Sequence, residues 1–131
     1  MEAVSTKKKH IDELHFEHQL WANESKFYTD ELKIYRKWLE GIASKNTSID
    51  ARKQIERFQN QFIIQKEQLD ILNHEINVHE QWLSKIAEEN PLTIALELFA
   101  DHATMYDRMI EFRKIYANLK EELNRFVAEW R

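Results

Sequence analysis

A chain of 131 residues with one glycine, Gly41, and one proline, Pro91, has almost no means of turning. Tight turns draw on these two residues for positive or fixed φ, and strand-rich folds need many such turns. A sequence without them is confined to long helices joined at few breaks, so the predicted fold class is all-α. The same scarcity removes functions. One glycine cannot build a phosphate-cradling loop, a dinucleotide fingerprint or a nucleophile elbow. The absence of cysteine excludes disulfides, thiolate metal sites and cysteine nucleophiles, and it fits a reducing compartment.

Apolar residues recur at alternating spacings of four and three, the heptad signature of packed helices. The first seam runs Leu14, His18, Trp21, Ser25, Tyr28, Leu32, Tyr35, Leu39, Ile42. Asn46, Thr47 and Ser48 interrupt it, and Thr47 with Asp50 resembles a capping box. The second seam runs from Ile55 through Phe58, Phe62, Gln65, Leu69, Leu72, Ile76, His79 and Leu83 to Ile86. Asn90-Pro91 reads as a helix restart, Asn as N-cap and Pro at the first helical position. The third seam runs from Leu98 through His102, Met105, Met109, Phe112, Tyr116, Leu119, Leu123 and Phe126 to Trp130.

One domain over 1–131 is expected, with a basic tail over 1–9 that includes Lys7, Lys8 and Lys9, and helices over about 10–44, 49–88 and 91–130. Helices of this length reach roughly 50–60 Å. The architecture predicted is an elongated up-down-up antiparallel three-helix bundle with coiled-coil-like heptad packing. In its proportions the chain is similar to spectrin-type repeats, a likeness of architecture that implies no function.

Three histidines, His18, His79 and His102, occupy seam positions on three different helices. Facing residues of antiparallel neighbours are equidistant from the turn between them. The midpoint of His18 and His79 falls beside the Thr47-Ser48 break, and that of His79 and His102 falls at Asn90-Pro91. The three imidazoles therefore share one layer of the core. Buried imidazoles need hydrogen-bond partners or a metal. One expectation is a structural polar layer. Another is a site for one transition metal ion (zinc, iron or copper), with His18, His79 and His102 as ligands and Glu75, one turn before His79, as the fourth. A third is a pH-sensitive layer. Ser25 and Gln65 are expected to fix register by hydrogen bonding. Tyr28, Tyr35 and Tyr116 are expected to carry their hydroxyls to the bundle surface.

A second apolar stripe flanks the first seam at Leu20, Phe27 and Ile34, and another flanks the second at Ile64, Ile71 and Val78, with Trp38 and Trp82 beside them. Read as one broad face of the first two helices, they predict a partner surface, most simply a homodimer or another helical protein. No catalytic constellation stands outside the histidine layer, so the expected function is a non-enzymatic interaction or scaffold role with no cofactor. The metal-binding bundle is the alternative. A formal net charge of −4 argues against nucleic acid as partner. No apolar run approaches the roughly 20 residues of a membrane span, and no hydrophobic signal core is present, so a cytoplasmic location is expected.

Overall fold

In the computed structural model the protein is three helices: α1 (Glu2–Lys45), α2 (Ile49–Glu89) and α3 (Leu92–Trp130). The structure describes the backbone of residues 2–89 and 92–130 and the side chains of 11–86, 88 and 98–130. Among the described residues there is no strand. The Asn90-Pro91 restart lies outside them.

The helices form the expected up-down-up bundle. α1 and α2 are antiparallel about the first break, as Tyr35 on Phe62 shows, with ring centroids 6.1 Å apart. α3 returns antiparallel to α2, bringing Phe58 onto Phe126 at 5.4 Å. α1 begins at Glu2, not near His10. Residues 2–9 contain no glycine or proline and carry lysines, good helix formers, so nothing in them stops a helix already nucleated downstream.

The first turn is capped differently from the expectation. Ser48, not Thr47, is the N-cap of α2: its Oγ accepts the Ala51 N–H at 3.4 Å, and its carbonyl accepts the Arg52 N–H at 3.1 Å. Asn46 closes the end of α1, donating its side-chain amide to the Ile42 carbonyl at 3.0 Å and to the Trp130 carbonyl of α3 at 3.2 Å.

All described seam residues are buried except Tyr28, His79 and Trp130, which are half-buried. The buried apolar side chains fall into two clusters. The larger runs from Trp21, Ile76 and Met105 to Ile42, Ile55 and Phe126. The smaller holds Leu14, Leu83, Ile86 and Leu98 near the α2–α3 end. The histidine layer lies between them.

Candidate functional site

The heptad brings the three histidines together as the register requires. The His18 ring lies 5.1 Å from His102 and 6.2 Å from His79, centroid to centroid. His18 and His102 are buried, and Trp21 stacks on His102 at 4.7 Å and 24°.

Two carboxylates flank the layer, and neither is Glu75. Glu80 of α2 faces His18 Nδ1 at 2.6 Å and also meets His15 Nδ1. Glu17 of α1 faces His102 Nε2 at 3.3 Å, and His102 Nδ1 faces His18 Nε2 at 3.2 Å. A continuous polar chain thus crosses the bundle: Glu80, His18, His102, Glu17. Glu75 is instead paired with Arg108 of α3. Sharing a helical face with His79 does not aim Glu75 inward, because a cation on the neighbouring helix claims it. Glu80 was findable from sequence: reflected through the first turn, it stands level with His18.

Hydrogen counting defines what this chain can hold. Three links between two imidazoles and two acceptor carboxylates need three N–H donors, and two neutral imidazoles supply two. All three links are made only when the pair carries one additional proton, with two carboxylates as counterions. Burial opposes a further proton: it pushes His102 below the ordinary imidazole value despite the Glu17 hydrogen bond. His79 is pushed down as well, chiefly by burial and against the pull of Asp101. Its Nδ1 is buried without a hydrogen-bond partner. The ring nitrogens of His18 and His102 that would have to converge on an ion are turned toward one another or toward carboxylates. Among the described residues, no group of three or more His, Asp or Glu side chains is arranged to hold a metal.

The second polar device is a ladder between α1 and α3, which run parallel. Glu24 accepts two hydrogen bonds from Arg113, at 2.6 and 2.8 Å, and one from the Tyr28 hydroxyl at 2.9 Å. One heptad on, Glu31 accepts from the Tyr116 hydroxyl at 2.6 Å and from Lys120 at 3.1 Å. Burial raises both carboxyls, but these donors outweigh it and leave Glu24 and Glu31 below the usual carboxylate range. Conversely, burial and Glu24 push Tyr28 up to about 12. The Tyr28 and Tyr116 hydroxyls thus reach partly exposed carboxylates and join the ladder. Ser25 Oγ, expected to fix register, is buried with no hydrogen-bond partner. Its backbone carbonyl accepts from Thr29 Oγ1 at 2.9 Å.

The flanking stripes are solvent-facing. Leu20, Phe27, Ile34 and Trp38 on α1 and Ile64, Ile71 and Trp82 on α2 are between 40% and 57% exposed, and Val78 is half-buried. They do not make one face. The ladder shows that the flank of α1 bearing Glu17, Glu24 and Glu31 turns toward α3. The corresponding flank of α2 also turns toward α3, with Glu75 on Arg108 and with Ile64 and Gln68 in a groove beside Ile115. The stripes therefore emerge on opposite sides of α3. Mirror register fixes height along a bundle but not direction around it, so stripes level with each other need not share a face.

Compared with protein-family models, curated proteins and solved structures, the chain matches none.

Proposed function

We propose that this protein is a helical-bundle interaction module that works by binding, without chemistry of its own, and that its first partner is a second copy of itself. The observation that supports this reading is the exposure of large apolar side chains in rows at heptad spacing, on helices whose core faces are already filled. Single exposed apolar residues are ordinary on a protein surface. Rows repeated over three heptads on two helices present contiguous surface whose burial is favourable at roughly 25 cal/mol per Å².

Sedimentation velocity across a concentration series up to tens of micromolar tests the reading. A reversible dimer is expected, weakened by Phe27→Asp or Ile71→Asp according to which row is buried. A monomer throughout that range would sink it.

A further inference from the structure

The rows differ in one respect that selects between them. Among the described residues, α1 exposes five large apolar side chains: Phe16, Leu20, Phe27, Ile34 and Trp38. Their spacing is a palindrome. Leu20 and Ile34 each lie seven residues from Phe27, and Phe16 and Trp38 each lie eleven. At 3.6 residues per turn all five fall within about 20° of one line along the helix, over about 33 Å. In α2 the same symmetry fails: Ile64 mirrors Val78 about Ile71, but Trp82 mirrors the polar Asn60.

A palindromic row is what a two-fold interface between antiparallel helices requires, because residue i of one copy must meet residue j of the other and the reverse. We infer that two copies pair along α1, antiparallel, with the two-fold axis passing between their Phe27 side chains. This deepens the self-association reading above and rests on it. Leu20 of each copy then meets Ile34 of the other, and Phe16 meets Trp38.

The Phe16–Trp38 contact has a receptor. Beside Trp38 a cavity of about 420 Å³ opens, lined by Gly41, Ile42, Val127 and Trp130 and flanked by Lys37 and Lys45. Gly41 is the single glycine of the chain and sits inside a helix, where glycine is among the least favourable residues. Packing within the chain does not demand it, since a Cβ added there would meet nothing within 4 Å. In the two-fold pairing the missing side chain leaves room for Phe16 of the other copy. Asp12, one turn before Phe16, then enters between Lys37 and Lys45, so charge as well as shape matches at both ends of the row.

The absence of cysteine makes the test direct. Phe27→Cys and Ile71→Cys each place one thiol per chain, to be linked with a short bis-maleimide at a concentration where the wild type is dimeric. Efficient linking at position 27 and little at 71 is expected. So is selective linking of Leu20→Cys to Ile34→Cys in a mixture of the two. Gly41→Gln should weaken the dimer about tenfold or more by filling the cavity, without lowering the thermal stability of the dilute monomer. A dimer that links through position 71 and not 27, or that tolerates Gly41→Gln, overturns the α1 pairing while leaving self-association standing. A wild type that stays monomeric overturns both.

Discussion

The two apolar clusters on either side of the histidine layer are built from the same heptads, yet they are not equivalent. The larger is continuous over most of the bundle and mixes aliphatic side chains with stacked rings, such as Phe112 on Tyr116 at 5.8 Å. The ladder from Glu24 and Glu31 runs beside it. Among the described residues the smaller has four buried members, Leu14, Leu83, Ile86 and Leu98, and it sits at the end where α2 gives way to α3. Between them the chain has put imidazoles where leucine would have fused the two, with the Glu17 and Glu80 carboxylates on the flanks. Cooperativity in a bundle comes from uninterrupted burial, so a polar layer divides it into parts able to open separately.

Truncation should expose the difference most strongly. Leu69→Ala removes a fully buried side chain from the larger cluster and is expected to cost about 3–5 kcal/mol in urea unfolding. Leu83→Ala, in the smaller cluster, should cost less, about 2 kcal/mol. Amide exchange around Leu83 should proceed by partial opening, at a lower free energy than around Leu69. Equal costs and equal protection would show that the layer divides nothing.

Replacing His18, His79 and His102 together by Leu sharpens the same comparison. Joining the clusters should stabilise the bundle by about 1–4 kcal/mol, as removal of other buried polar networks does. It should also raise exchange protection at Leu83 and Leu98 toward that at Leu69. A destabilised triple variant would mean that the Glu80–His18–His102–Glu17 chain holds the helices together more than it interrupts them.

The smallest expected effect is that of acidity. His79 and His102 titrate below the ordinary imidazole value in the folded protein, so the unfolded chain binds more protons than the folded one. Their contribution is complete above the unfolded value and is lost as the pH falls through it toward the depressed folded ones. Between about pH 7.5 and about pH 5.5 the midpoint of thermal unfolding should therefore drop. His79→Leu should remove part of that slope. Glu24 and Glu31, held low by Arg113, Lys120 and the tyrosines, add a second loss of the same sign at more acid pH. A midpoint that rises on acidification would assign the layer's additional proton the dominant role.

The fold was legible because its determinants are local and periodic. Gly41 and Pro91 as single punctuation marks, three seams and one break at Asn46–Ser48 leave little choice of architecture, and mirror register placed the histidines in one layer. Side-chain pairing was less legible. Glu75 shares a face with His79, but the nearer claim on it comes from Arg108, on a helix distant in sequence. The ladder does leave a readable signal in the sequence. Glu24 with Arg113 and Glu31 with Lys120 share one offset of 89 residues, as parallel first and third helices require. The direction of the flanking stripes was not legible at all, since it depends on which flank of each helix the third one covers.

The ladder and the Asn46 amide also bear on the order in which the chain assembles. The first two helices are joined by a three-residue break and can zip from it as a hairpin, with every contact reached by short loop closure. Such a hairpin would present a row of carboxylates, Glu17, Glu24 and Glu31, along its open side. α3 answers that row with Arg113 and Lys120 at a fixed spacing, so the attraction that recruits the last helix also sets its height. The bond from Asn46 to the Trp130 carbonyl can form only at that height. It acts as an end stop, reporting at the first turn that the last residues of α3 have arrived in register.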